Sequence, residues 1–130
     1  MRAAVAVGIG LSGVLTLALA KPCIAQDPVA VDPEHHKVEF ENDQVRVLRI
    51  VFPPGSRSVM HEHPCLIAIG LGDSTLTFHM PDGSTRDAPM KRGQVVVVKA
   101  PFAHEPENRG NAASEVIVVE LKTGCAASSR

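Results

Sequence analysis

After Val38 the sequence keeps one rhythm: short runs of β-branched and apolar residues recur about every ten positions, punctuated by glycine and proline. The runs are "QVRVLRIVF", "CLIAIGL", "STLTFH", "GQVVVVKAP" and "EVIVVELK", and no segment after residue 38 shows a helical period. In the first run Val45, Val47 and Arg49 form one alternating set, with a break of register near Leu48 such as a bulged strand gives. The second is continuously apolar, as expected where both faces of a strand are covered. In the third, Leu76 and Phe78 alternate against Thr75, Thr77 and His79, and the following Asp82-Gly83 signals a hairpin. The fold class this rhythm predicts is all-β, a sandwich or barrel in one domain.

The first quarter of the chain is different. Arg2 is followed by the apolar run "AAVAVGIGLSGVLTLALA" and then by small residues, the order of a secretory signal peptide. Cleavage after Ala20 or after Ala25 fits the small-x-small rule, and Gln26-Asp27-Pro28 opens a polar segment that favours Ala25. The expected organisation is a signal peptide over 1–25, an extended lead-in over 26–37, a barrel over 38–123 and a tail over 124–130. The prolines and charges of "DPVAVDPEHHKVEF" hinder regular structure before Val38, so His35 and His36, a pair able to grip a metal, read first as a solvated pair in that lead-in.

Loss of residues 1–25 removes Arg2 and Lys21 and no acid, leaving a net charge of −3 from fourteen Asp plus Glu against eleven Lys plus Arg. That balance gives no basis for nucleic-acid binding, and no stable membrane association is expected once the signal is gone. Localisation is expected to be periplasmic or secreted, where Cys65 and Cys125 have the option of pairing.

Two histidines stand one residue apart in "PPGSRSVMHEHP". In an extended strand His61 and His63 project from one face and Glu62 from the other. Some forty residues later "PFAHEPEN" supplies His104 after another valine-rich strand. If these strands face each other across a barrel interior, three imidazoles meet. Left unpartnered in an apolar interior, each would cost about 1 to 3 kcal/mol, a cost that a metal ion or ordered water offsets. Neutral imidazole suits zinc, copper, iron and nickel, and three protein ligands with open positions are typical of catalytic rather than structural sites.

These residues resemble the two half-motifs of the cupin superfamily. Gly55, His61 and His63 fit G-x5-H-x-H, while Gly93, Pro101, His104 and Asn108 are similar to the second half, with its H-x3-N ending. The resemblance runs from about Val38 to Lys122 and is to a small single-domain cupin. It implies a β-barrel or jelly roll, with His61, His63 and His104 holding one divalent metal (iron, zinc, nickel, copper or manganese). Two departures stand out. The glutamate ligand that cupins often carry three or four residues past His-x-His falls on Ile67 and Ala68, and Pro101-Phe102-Ala103 lacks the usual glycine. Three neutral ligands would leave a divalent ion its full charge, attract an anionic substrate and acidify bound water.

The resemblance therefore implies a metal-binding cupin with oxidative, dioxygenase-like chemistry on a small molecule and association as a homodimer, and the signal-peptide pattern adds export. The rival expectation, motivated by the missing glutamate, is a non-catalytic barrel that binds or senses a small molecule with or without metal. No catalytic residue is assigned. Cys65 either faces the site two residues past His63 or is buried or disulfide-bonded, and His79 either lines the pocket or meets solvent. Alternation turns Glu105 and Glu107 away from His104, and Glu62 away from its flanking histidines.

Overall fold

A computed structural model describes residues 26–124. The expected signal peptide, residues 1–25, and Cys125 lie outside the described residues. The first described element is a single helical turn, α1 (Pro28–Val31). Nine described strands follow: β1 (His36–Glu41), β2 (Val45–Phe52), β3 (His61–His63), β4 (Leu66–Gly70), β5 (Ser74–His79), β6 (Thr85–Met90), β7 (Val95–Val98), β8 (Phe102–Glu107) and β9 (Ser114–Leu121). They form two antiparallel sheets, in the orders β1-β2-β9-β4-β7 and β3-β8-β5-β6. No described helix is long and apolar enough to cross a membrane.

Strand periodicity decides which residues make the core. Leu48, Ile50 and Phe52 are 0%, 6% and 1% exposed and pack with Leu66, Leu76 and Val118 between the sheets. β2 pairs with β9 over eight consecutive residues, from Val45 opposite Leu121 to Phe52 opposite Ser114. The register break expected near Leu48 is therefore absent from β2; the irregularity sits in its neighbour, between Val38 and Phe40 of β1. Both alternating sets of β2 contain apolar residues, so composition along the strand does not reveal which set faces inward.

The reason is visible on the outer face of the five-stranded sheet. Phe40, Val47, Val119, Ile67 and Val97 are successive cross-strand partners and make one apolar row across all five strands. Phe40 and Val97, at its two ends, are more than half exposed. The continuously apolar β4 thus has a core face and a second face that belongs to this row. The hairpin expected at Asp82-Gly83 is present: Gly83 has φ +85°, and Met80 N–H donates to the Ser84 carbonyl at 2.8 Å.

The central position of Leu48 gives a direct test of the packing. Leu48→Ala is expected to lower unfolding free energy by about 3 kcal/mol, the usual cost of a cavity at a closed site. Urea unfolding should show this as a lower midpoint with an unchanged slope.

Candidate metal centre

The lead-in is not extended. Asp27 caps α1, its side chain accepting from Val29 N–H at 2.9 Å and Ala30 N–H at 3.2 Å, and Pro28 occupies the start of the turn. A proline there costs nothing, because the amide it lacks would be unpaired in the first turn anyway. The turn folds the segment back onto the barrel, where the Gln26 carbonyl accepts from Glu62 N–H at 2.9 Å. It delivers His36 to the interior, 1% exposed, at the start of β1. The expectation of a solvated His35-His36 pair is therefore corrected. His36 is buried, and His35 stacks on Phe52 with ring centres 4.6 Å apart.

His61 and His63 lie on β3 and are 1% and 2% exposed. Their donor atoms and that of His36 all fall within 4.8 Å of one another. Each of the three rings is anchored through Nδ1. His36 meets the Asp32 carbonyl at 3.0 Å, His61 the Val59 carbonyl at 2.8 Å and His63 the Glu120 carboxylate at 2.7 Å. A carbonyl or carboxylate only accepts, so Nδ1 carries the proton in each neutral ring and Nε2 keeps its lone pair. The Nε2 of His61 is buried with no hydrogen-bond partner among the described residues. Anchoring one ring nitrogen by an outer acceptor is the usual way a protein presents the other to a metal.

His104 arrives by a different route from the one expected. β3 and β8 do not face each other across the barrel; they are paired neighbours, with His61 directly opposite His104. The His104 ring centre lies 4.9 Å from that of His61 and 5.5 Å from that of His63, and its Nδ1 is buried without a partner. His104 thus stands beside the trio, and His36 joins it from a segment expected to be outside. A tetrahedral ion about 2.0 to 2.1 Å from each nitrogen would need the nitrogens about 3.3 Å apart, a closure of at most about 1.5 Å from the 4.8 Å within which they lie.

Behind His63 runs a charged chain. Glu120, 2% exposed on β9, also accepts from Arg46 Nε at 2.6 Å, and Arg46 reaches Asp27 at 2.7 Å. Burial opposes the charge on Glu120, yet the His63 and Arg46 hydrogen bonds hold its carboxyl below the ordinary glutamate range. The acid missing from the neighbourhood of Ile67 and Ala68 is thus present one layer out. Its signal in the sequence is the alternation Val116, Val118, Glu120, which turns an acid inward on a valine-rich strand.

Other expectations resolve around this centre. Cys65 is 5% exposed and disulfide-bonded, while Cys125 lies outside the described residues. His79 donates from Nε2 to the Glu107 carboxylate at 2.8 Å on the far side of β5, and Glu105 pairs with Arg57, so both acids are turned from His104. The two half-motifs are stitched together by backbone bonds. Gly55 N–H donates to the Asn108 carbonyl at 2.8 Å and Asn108 N–H to the Ser56 carbonyl at 2.9 Å. The buried Asn108 amide also holds the Phe52 and Ala112 carbonyls. Gly55 has φ +77°, where a side chain would be strained. The histidines open into a cavity of about 310 Å³ walled by Ile50, Phe52, Leu66, Leu76, Phe78 and Val98.

Several solved structures share this architecture. A cupin domain from Bordetella pertussis Tohama I is 22% identical, with a TM-score of 0.62 over 67% of this chain and 91% of that one. A conserved protein with a double-stranded β-helix domain from Klebsiella pneumoniae is 16% identical, with a TM-score of 0.55 over 70% and 78% of the two chains. An RmlC-like cupin family protein from Methanocaldococcus jannaschii is 19% identical, with a TM-score of 0.52 over 84% and 93%. No protein-family model matches the sequence, and no curated protein does. The chain therefore has the cupin fold, a double-stranded β-helix, and within it a buried cluster of three histidines able to hold a metal.

Burial makes His36, His61 and His104 hard to protonate. It pushes His36 and His61 down to about 4 and His104 to about 2, with the neighbouring histidines adding to the effect. An unfolded histidine titrates near 6.5, so between roughly pH 6.5 and 4 the unfolded chain binds protons that the folded one refuses. The stabilisation is present above that window and lost as pH falls through it. In chelator-treated protein the melting temperature is expected to drop by roughly 10 °C or more between pH 7.5 and pH 4.5. Calorimetry showing a flat profile would refute burial of neutral rings.

Proposed function

We propose that this chain is a metal-dependent cupin-fold protein acting on a small molecule. His36, His61 and His63 hold one divalent ion, and His104 serves as a fourth ligand or borders the open position. The observation that carries this reading is the shared anchoring of the three Nδ1 atoms, which leaves three lone pairs within reach of one point. A bound ion would supply Lewis acidity or redox capacity there. The protein's own part is to exclude water from the cavity with largely apolar walls and to hold His36 and His61 neutral. Glu120 adds a negative charge behind His63, moderating the excess positive charge that neutral ligands leave on an ion.

Oxidative chemistry is the enzyme class proposed, because neutral nitrogen ligands suit iron and copper and the cavity gives a substrate room beside the centre. The second reading is a barrel that binds its ligand without turning it over. It is favoured by the cavity lining, where the side chain of Asp87, the one acid among the described lining residues, is turned to the Thr77 hydroxyl at 3.0 Å. Export to the periplasm or beyond belongs to the proposal and is supported by the disulfide at Cys65, since such bonds persist in oxidising compartments.

Elemental analysis of protein purified without chelators is expected to give one divalent ion per chain. His61→Ala and His63→Ala should abolish retention, and His36→Ala should weaken it by tenfold or more. Retention unaffected by His36→Ala would remove that residue from the site, and a metal-free wild type would remove the metal. Oxygen uptake by the loaded protein with thiol, diol or aromatic substrates separates catalysis from binding.

Self-association is part of the same proposal. The apolar row across the outer face has two half-exposed ends, Phe40 and Val97, and a second copy of the chain would cover it. Sedimentation is expected to show a dimer that Val97→Glu converts to monomer. A wild type that is monomeric at all concentrations would end this part of the proposal.

A further inference from the structure

Arg86 is a cation on the inward side of a strand. The pairing of β5 with β6 sets Arg86 opposite Phe78, Asp87 opposite Thr77 and Ala88 opposite Leu76. Leu76 belongs to the core, so Arg86 and Ala88 share its face while Asp87 points the other way, to the Thr77 hydroxyl. The guanidinium carbon lies 5.4 Å from the Phe102 ring centre, and that ring lies 4.6 Å from His104. The guanidinium is therefore within about 10 Å of the His104 ring.

Arg46, Arg49, Arg57 and Arg109 each have a carboxylate partner; Arg86 has none among the described residues. It is exposed at the mouth of the cavity, whose inner end is formed by His36, His63 and His104. Between these two ends the walls are mostly apolar, with Ser114 and Asp87 among the lining residues. A guanidinium stacked on an aromatic face is weakly hydrated and presents a planar fork suited to a carboxylate. At about 310 Å³ the cavity lies at the small end of the range for ligand sites.

We propose that the cavity takes a small monocarboxylate with an apolar body, the carboxylate held by Arg86 at the mouth and the body extending toward the histidines. This names a ligand class for the function proposed above, and it rests on that function only in setting the far end of the ligand beside a metal. An inward charge on an edge strand also discourages sheet-to-sheet association, and β6 is an edge. That role makes no distinction between a ligand and its uncharged amide.

The test is calorimetric titration at low ionic strength of 3-phenylpropionate and 3-phenylpropionamide into wild type, Arg86→Gln and Arg86→Lys, each in chelator-treated and metal-reloaded form. Arg86 is exposed, so the variants should fold, and their melting temperatures verify it. In wild type the acid is expected to bind at least tenfold more tightly than the amide in both metal states. Arg86→Gln should reduce the preference below threefold, and Arg86→Lys should keep part of it, having the charge without the fork. Equal binding of the two probes, binding of neither, or a preference untouched by Arg86→Gln would overturn the proposal. An acid preference in a protein that retains no metal would uphold Arg86 and refute the metal centre alone.

Discussion

Three hydrogen bonds from imidazole Nδ1 govern the interior of this protein. An imidazole removed from water loses solvation at both nitrogens, and an orphaned polar atom in an apolar core costs about 1 to 3 kcal/mol. The Asp32 and Val59 carbonyls and the Glu120 carboxylate satisfy one nitrogen of each ring and fix which one bears the proton. They come from three places: the segment after α1, the loop before β3, and β9. The cluster therefore exists only when the terminal turn, the motif loop and the distant strand are all in position. Its geometry is a product of the whole fold.

Residues 26–36 are a structural member of the barrel rather than an extended lead-in. Asp27 caps the turn and pairs with Arg46, which holds Glu120, which holds His63. Asp32 accepts from Ser58 and His35 while its backbone carbonyl takes His36. Although burial opposes its charge, the Ser58 and His35 hydrogen bonds keep Asp32 below the usual carboxylate range. One short stretch thus supplies a histidine to the cluster and fastens the supports of the other two.

Much of the fold was legible because the strands are bounded by residues with one physical meaning. Asp82-Gly83 marks a hairpin, Gly55 a left-handed turn, and the His61-Glu62-His63 alternation a strand with one face inward. The register of β2 was not legible, because Val45 and Val47 on the outside are as apolar as Leu48 and Ile50 within. His36 was missed for a related reason. Prolines near a chain's start suggest irregular backbone, whereas Pro28 at the first helical position starts a turn that carries the segment back to the core. Glu120 and Arg46 are more than seventy residues apart, and only the pairing of β2 with β9 makes them partners. His104 was placed with its companions for the wrong geometric reason, since adjacency in one sheet, and not opposition across the barrel, unites them.

The strand that bears His61 and His63 is also the slightest in the molecule's second sheet. It is three residues long, lies at the sheet edge and, among the described residues, has a strand partner on one side only, with the Gln26 carbonyl bonded on the other. Shifting it disturbs few ladder bonds, while β2 and β9 behind it are locked over eight residues. Compliance is thus concentrated in the two rings with the most to gain from moving. Were an ion held there, closing the histidines around it would ask most of β3, while β2 and β9 keep their long register.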